Sequence, residues 1–218
     1  MIFLKPNNLI ESFFQLIINS FFRLIISFKK RINLNQKNTF FLNGDFFASL
    51  SNYNDLKIVY SSLTKFPEKK MFKKYKKKVW IFHNSDEIFD VKKKKKLDFF
   101  QPKKCFSQNL VFKKKNYFYL PIGLENSKFH NHGNIKDFQK LRKIKHIKIA
   151  KVLYGFNITN PNRIKIRNDL SKIKICDETK GWNSYFYRRI LSKYMFVICP
   201  EGNGVDTHRL WEAFYLKT

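Results

Sequence analysis

The segment 196–214, FVICPEGNGVDTHRLWEAF, carries the residues best suited to bind an anion. Its apolar run FVIC is typical of a buried strand, which must end at Pro200 because proline cannot donate a ladder hydrogen bond. Gly202 and Gly204 then allow another backbone or a ligand to approach closely. A strand, a glycine-containing loop and a helix N-terminus form the arrangement in which α/β proteins bind phosphate. The segment therefore predicts an anion or nucleotide site.

The start of the helix that follows holds further polar side chains. Asp206 or Thr207 can cap its first turn. Arg209 presents a planar fork of N–H donors that matches two phosphate oxygens. Glu212 lies one turn further on, on the face near Arg209 and His208, within reach of a ribose hydroxyl. The alternative is an ordinary capped helix whose Arg209–Glu212 pair is a surface salt bridge.

Apolar runs typical of strands alternate with polar or helical stretches along most of the chain, which predicts βαβ units and parallel sheets. The predicted strands are 40–42, 57–61, 79–83, 104–107, 117–120, 147–154, 173–176 and 194–199. The predicted helices of the second part of the chain are 162–171, 183–193 and 206–216. We interpret this pattern as two α/β halves, residues 36–135 and 136–218, whose boundary falls within 127–143.

The formal net charge of +28 would ordinarily indicate a nucleic-acid or acidic-membrane partner. Lysine supplies 36 of the 44 basic residues, and Lys, Phe, Asn and Ile all have codons made only of A and T. An AT-rich genome therefore explains part of the charge. The lysines are scattered, and no helix-turn-helix, zinc-finger or RNP-like run is visible. We expect no specific nucleic-acid partner, although a basic nucleic-acid-binding protein remains the first alternative.

The apolar segment 9–28 is long enough to span a bilayer. A polar stripe nevertheless recurs in it every four residues, at Glu11, Gln15, Asn19 and Arg23. The basic residues 29–31 suit an interfacial helix on anionic lipid. We predict an amphipathic helix over residues 1–35, which either contacts a membrane surface through residues 9–31 or packs on the following domain. No small-residue cleavage site is present, so we expect no cleaved signal peptide, and a location in the cytoplasm or at the cytoplasmic face of a membrane.

The three cysteines, Cys105, Cys176 and Cys199, are far apart and lie in or beside apolar runs. A metal site would need paired ligands such as C-x-x-C, and the sequence contains none. We therefore expect reduced, buried thiols and no metal.

The run CPEGNGVDTHRLWEAF (199–214) resembles the signature of exostosin-like glycosyltransferases. Four other stretches are similar to the same family in the same order: HNSDEIF (83–89), FSQN (106–109), LPIGLEN (120–126) and LYGFNITNPNRIKIRNDL (153–170). The resemblance covers residues 56–218. It implies a GT-B-like α/β fold of two Rossmann-like halves with mostly parallel sheets, residues 36–135 forming the acceptor side and 136–218 the donor side. It also implies inverting transfer from a nucleotide-diphosphate sugar to a carbohydrate or other hydroxyl acceptor, without a metal or other cofactor.

One departure from the family lies at the end of the sequence. In the family, the helix that begins in the signature leads into another strand and further helices, whereas this sequence ends at Thr218. The resemblance thus implies an incomplete C-terminal half that exposes apolar surface and a strand edge. An inactive transferase fragment or a membrane-surface protein is a further alternative.

The resemblance also implies roles for individual residues. The donor would be held by Arg163, Glu201, Gly202, Asn203, Gly204, Asp206, Thr207, His208, Arg209 and Glu212. Gly202 to Gly204 and the helix amides would line the diphosphate, and Arg209 and Arg163 would neutralise it. Glu212 or Glu201 would accept hydrogen bonds from ribose hydroxyls.

An inverting transfer also needs a base for the acceptor hydroxyl. Asp86 and His83 follow the predicted strand VWIF and are the best-placed pair, and Glu125, after LPIG, is the reserve. The alternative is that Asn84, Ser85 and Asp86 simply form a turn and that His83 is hydrogen-bonded at a strand end.

Overall fold

Two parallel sheets organise the chain, which confirms the α/β prediction. The first contains β1 (Ile58–Ser61), β2 (Val79–Phe82), β3 (Lys104–Ser107) and β4 (Tyr117–Tyr119), in that order. The second contains β5 (Ile149–Tyr154) between β6 (Cys176–Glu178) and β7 (Tyr194–Val197). Every ladder between these strands is parallel. Helices connect most successive strands, as parallel pairing usually requires, whereas residues 108–116 connect β3 to β4 without one.

The computed structural model describes residues 42–52, 57–129, 132–180 and 183–218. Residues Phe41–Thr218 form one compact unit. The amphipathic helix predicted for residues 1–35 lies outside the described residues. None of the helices in the described ranges has the length and apolar content that a bilayer span requires.

The described helices are α1 (Gly44–Ser49), α2 (Phe72–Tyr75), α3 (Val91–Asp98), α4 (Ile135–Lys143), α5 (Pro161–Leu170), α6 (Ser184–Leu191) and α7 (His208–Leu216), with 3-10 turns at Leu50–Asn52 and Lys69–Met71. Five of these helices begin at an Asn or Asp whose side chain accepts a first-turn amide hydrogen bond. These caps are Asn43, Asp90, Asn134, Asn160 and Asn183. Four of the many asparagines in this sequence therefore occupy N-cap positions, where their side chains stabilise the start of a helix.

An aromatic core covers one face of the first sheet. All four residues of β2 are buried, and the rings of Trp80 and Phe82 stack 5.5 Å apart. Phe89 packs edge-on against Phe82 at 5.5 Å, and Phe100 lies 5.7 Å from Trp80. Burial of such large side chains, each contributing about 1.5–3 kcal/mol or more, fixes this sheet firmly.

Two predicted elements in the second half differ from the structure. The predicted strand at 173–176 is instead Cys176–Glu178, because Ile173 N bonds to Leu170 O (3.1 Å) and Cys176 N to Ile173 O (2.9 Å) in successive turns. The predicted strand at 194–199 is Tyr194–Val197. The strand predicted at 40–42 is also wrong at Leu42, which lies outside any strand.

The burial predicted for FVIC is wrong. Strand β7 pairs in parallel with β5 but forms an edge of its sheet, and the side chains of Met195 and Phe196 are 47% and 48% exposed. An apolar run predicts a strand but not the elements that cover it, and β7 has a neighbouring strand on one side alone within the described residues.

Lysine is distributed unevenly about both sheets. A lysine lies within the two residues before every strand: Lys57, Lys78, Lys103, Lys115, Lys148, Lys174 and Lys193. Three loops that lead from a strand to a helix contain none: 83–90, 155–160 and 198–207. Helices in a parallel α/β fold run opposite to the strands, so their partly negative C-termini lie at the lysine-rich edge.

A buried arginine joins three helices of the second half. The guanidinium of Arg188, on α6, donates to Asp137 Oδ2 on α4 at 2.8 Å and lies 3.6 Å from Glu212 Oε1 on α7. It also donates to the carbonyl of His132 at 3.0 Å. The side chain is 0% exposed. Two buried carboxylates therefore share this cation as a partner.

We expect Arg188→Met to destabilise the fold by about 3–5 kcal/mol, because it leaves Asp137 and Glu212 buried without their cation. The neighbouring Arg189→Met is the matched control, since Arg189 is exposed and should change the free energy of unfolding little. Urea denaturation of both variants checks this. Equal stability of the two variants would mean that the cluster contributes nothing to the fold.

Candidate functional site

Loops from both sheets meet at the edge formed by the carboxyl ends of the strands. We call residues 198–207 the glycine loop and residues 83–86 the HNSD loop. Asn203 Nδ2 of the glycine loop donates to Asp86 Oδ2 of the HNSD loop at 3.4 Å. Asp206 N donates to Asn109 Oδ1, after β3, at 3.2 Å. The structure therefore brings together residues that are 97 to 117 positions apart in sequence.

Arg163 supports the glycine loop from beneath. It is 8% exposed, and Nε and Nη2 donate to the carbonyls of Glu201 (2.8 Å) and Pro200 (2.9 Å). Nη1 donates to the carbonyl of Asn157 at 2.8 Å. Asn160, the cap of α5, also donates to the Glu201 carbonyl, at 3.2 Å. Because three of its N–H donors bind backbone carbonyls, Arg163 holds the glycine loop in position and is largely shielded from solvent.

The two glycines of the loop have distinct physical roles. Gly202 N donates to Gly204 O at 3.1 Å, which closes a tight turn around Asn203. A Cβ on Gly204 would lie 2.7 Å from Nδ2 of Asn109, so any larger residue would push the loop away from the first sheet. The backbone amides of Asn203 and Gly204 make no hydrogen bond within the described residues. They are two of the loop amides without a hydrogen-bond partner within the described residues.

The carboxylate of Asp206 joins the glycine loop to the rest of the site. Tyr119 Oη donates to Oδ2 at 2.5 Å, and Ile122 N donates to the same oxygen at 2.8 Å. Trp211 Nε1 lies 2.9 Å from both carboxylate oxygens, and Thr207 N donates to Oδ1 at 2.8 Å. Burial and then the Asp206 charge raise the pKa of Tyr119, which keeps the phenol protonated as a donor. Asp206 is thus saturated by the protein itself.

The first amides of α7 are less available than the sequence suggested. The amide of Asp206 is taken by Asn109 and that of Thr207 by Asp206. Thr207 is the N-cap, yet its side chain makes no capping hydrogen bond. Of the first amides of α7, those of Asp206, Thr207 and His208, that of His208 is the one for which the described residues show no partner.

His208 and Glu125 form a pair across the edge. His208 Nδ1 lies 2.8 Å from Gly123 O, and Nε2 lies 3.3 Å from Glu125 Oε2. Glu125 Oε1 accepts from the amide of Asn126 at 2.9 Å. Both side chains are partly exposed, at 33% and 23%. The reserve base and a predicted diphosphate residue are therefore neighbours.

Arg209 has donor capacity that the described residues leave unused. Its guanidinium lies over the ring of Tyr187, 4.3 Å from the centroid. Nη1 is buried and has no hydrogen-bond partner within the described residues. Burial and, secondly, the Arg209 cation lower the pKa of Arg163, so the two guanidinium groups repel each other. An anion between them would relieve this repulsion.

Glu212 does not face the surface. It is 9% exposed and pairs with Arg188 rather than forming the surface salt bridge with Arg209. Burial raises its pKa, while the cations of Arg188 and Arg209 oppose that shift. Glu201, the other predicted ribose ligand, is exposed.

The HNSD loop places its two predicted bases in opposite environments. His83 is 1% exposed, its Nε2 lies 3.2 Å from Pro121 O and its Nδ1 3.0 Å from Asn84 Oδ1. Its ring packs 4.9 Å from that of Phe47, and burial lowers its pKa. Asp86 is exposed. Of the pair, Asp86 is therefore the one that an incoming hydroxyl can reach.

The sequence reasoning missed the amides that hold the HNSD loop. Gln108 Oε1 accepts from Asn84 N at 2.9 Å, and Gln108 Nε2 donates to the carbonyl of Ser85. Asn109 Nδ2 donates to the same carbonyl at 3.2 Å. Asn84 and Asn109 have φ of 57° and 52°, a conformation that asparagine tolerates better than most residues. The motif FSQN contained this signal, because Gln and Asn directly after a buried strand need hydrogen-bond partners if they are buried, as Gln108 (0% exposed) and Asn109 (2%) are.

Comparison with known proteins adds nothing to this geometry. No family model matches the chain, and no curated protein sequence matches it either. Within the described residues no group of three or more His, Cys, Asp and Glu side chains could hold a metal ion. The function is therefore inferred from the arrangement of the loops.

We expect Asp206→Asn to lower the free energy of unfolding by about 2–3 kcal/mol, since a hydrogen bond to a charged group contributes about 1.5–3 kcal/mol. The amide would present N–H groups to donors of Tyr119, Ile122 or Trp211. Asp86→Asn is the control, because that carboxylate is exposed and has one long hydrogen bond. Urea denaturation measures the free energy of unfolding of both variants, provided that their m-values are equal. If Asp206→Asn were as stable as Asp86→Asn, the saturated carboxylate would not hold the site together.

Proposed function

We propose that the chain is a glycosyltransferase, which moves a sugar with inversion from a nucleotide-diphosphate sugar to a hydroxyl acceptor, without a metal. In this proposal the two sheets belong to Rossmann-like halves of a GT-B-like enzyme, residues 36–135 on the acceptor side and 136–218 on the donor side. The observation that carries the proposal is the contact between Asn203 and Asp86, 3.4 Å apart. The glycine loop, which is suited to bind an anion, and an exposed carboxylate thus lie at the same edge of the two sheets.

The donor side rests on unused hydrogen-bond donors. The amides of Asn203 and Gly204 and the Nη1 atom of Arg209 make no hydrogen bond within the described residues. A diphosphate bound there would neutralise Arg209 and ease its repulsion with Arg163. Its charge grows as the sugar leaves, so such donors stabilise the transition state more than the ground state.

The acceptor side rests on Asp86. A carboxylate that is exposed and next to the glycine loop can take the proton of a hydroxyl that attacks the sugar carbon. Glu125 is the reserve, held 3.3 Å from His208. His83 contributes to position instead, because its buried ring contacts Pro121 O and Asn84.

The resemblance of residues 199–214 to the exostosin-like signature supports the same chemistry. The absence of lysine from the three strand-to-helix loops 83–90, 155–160 and 198–207 adds a second support, because lysine makes up 36 of 218 residues. Peripheral membrane contact through residues 9–31 is compatible with this proposal.

We expect Arg209→Ala to weaken binding of a nucleoside diphosphate by about 1.5–3 kcal/mol, the range for a hydrogen bond to a charged group. Isothermal titration with uridine and guanosine diphosphates measures this. Arg189→Ala is the control, since Arg189 is an exposed arginine on α6 that carries the same charge. Unchanged affinity in Arg209→Ala would remove Arg209 from the site.

We expect Asp86→Asn to lower kcat by about 10²–10⁴, the usual contribution of general acid–base catalysis. Nucleoside-diphosphate affinity should change little, because the proposed donor contacts lie in the other half. Release of nucleoside diphosphate from nucleotide sugars, with a panel of hydroxyl acceptors, measures turnover.

Glu87→Gln is the matched control for this experiment. Glu87 is the next carboxylate along the chain and pairs with Lys93 at 3.0 Å. Normal turnover in Asp86→Asn would mean that Asp86 is not the base and that the HNSD loop is an ordinary turn. A fall in both kcat and affinity would move the base to Glu125.

A further inference from the structure

A second basic region lies at the opposite edge of the second sheet, away from the glycine loop. It is a pocket of about 380 Å³ where helices α4, α6 and α7 end. Its lining residues are Leu141, Arg142, Ile144, Lys145, His146, Lys148, Ser192, Leu216 and Lys217. Five of the nine are basic and none is acidic. No motif in the sequence indicated this pocket, because its residues come from three separate segments.

Helix ends explain part of this positive charge. Lys148 Nζ donates to the carbonyl of Ser192, the C-cap of α6, at 2.7 Å. Three helix C-termini carry together about −1.5 elementary charges, at roughly −0.5 each. Arg142, Lys145, Lys148 and Lys217 supply four positive charges, so about +2.5 remains uncompensated. Capping alone therefore leaves the pocket strongly cationic.

The polar groups of the pocket are also incompletely paired. Nε2 of His146 is buried and has no hydrogen-bond partner within the described residues. Arg142, Lys145 and Lys217 form no ion pair within those residues. Burial lowers the pKa of Lys148, as expected for a cation held away from water without a counter-charge. An anion would satisfy all of these groups at once.

We propose that this pocket binds a phosphate group, with Arg142, Lys145, His146 and Lys148 as its ligands. A phosphomonoester carries about 1.5–2 negative charges, which is close to the excess. The apolar side chains of Leu141, Ile144 and Leu216 would contact the group that bears the phosphate. The volume falls within the usual range of about 300–1,000 Å³ for ligand pockets. The phosphate could belong to a free metabolite or to a lipid headgroup.

The test uses the full chain and a double variant, Lys145→Gln/His146→Gln. Inorganic phosphate and pyrophosphate should raise the Tm of the wild-type protein by about 3–5 °C at ten times their Kd. The double variant should lose most of this rise. Lys172→Gln/Lys174→Gln, two exposed lysines before β6 at the same edge, should keep it. Arg209→Ala should also keep the rise caused by inorganic phosphate, which separates this pocket from the proposed donor site.

A vesicle arm distinguishes the two sources of phosphate. Sedimentation with phosphatidylcholine vesicles, with and without phosphatidic acid, tests a headgroup. Binding that depends on phosphatidic acid and falls at least about fivefold in the double variant, but not in Lys172→Gln/Lys174→Gln, would assign a lipid.

Three results would overturn the proposal. The first is that neither phosphate, pyrophosphate nor vesicles affect the wild-type protein. The second is equal loss in both lysine variants, which would indicate diffuse attraction by the net charge of +28. The third is loss in Arg209→Ala alone. If the double variant fails to fold, Arg142→Gln tested by the same titrations replaces it.

Discussion

The carboxylate of Asp206 is the interaction on which the rest of the site depends. It accepts hydrogen bonds from Tyr119 and Ile122 of the first half and from Thr207 and Trp211 of the second. A buried carboxylate that four donors surround is costly to move, because any displacement leaves polar groups unpaired in a low-dielectric interior. The glycine loop therefore keeps its position against the HNSD loop although the two belong to different sheets.

The polarity of the helices explains why a lysine-rich sequence can still contain a specific anion site. Lysine precedes every strand, at the edge where helices end, and is absent from the three loops 83–90, 155–160 and 198–207 at the opposite edge, where helices begin. A cation is stabilised at a helix C-terminus and disfavoured at an N-terminus by about 0.3–1 kcal/mol each. The edge that carries the site consequently has few cationic side chains. Arg163 and Arg209 are among them, and each has a defined position.

The sequence predicted the strand and helix order well, because hydrophobic period and turn residues are local signals. That the HNSD loop and the glycine loop serve one site was implied by the family resemblance rather than by the strand pattern. It did not predict that His83 and Glu212 would be buried, that Phe196 would be exposed, or that Arg163 would hold loop carbonyls. Each of these depends on neighbours distant in sequence, such as Pro121, Arg188 or the position of β7 at a sheet edge. The resemblance to exostosin-like transferases and the chemistry it implies remain predictions.

The central claim is that the glycine loop is the diphosphate site, and amide chemical shifts test it most directly. Titration of the ¹⁵N-labelled chain with a nucleoside diphosphate should shift the amides of Asn203, Gly204 and His208. The amides of Asp206 and Thr207 should move less, because protein acceptors already engage them. Saturable shifts confined to other regions, or no shifts at millimolar nucleotide, would contradict the account.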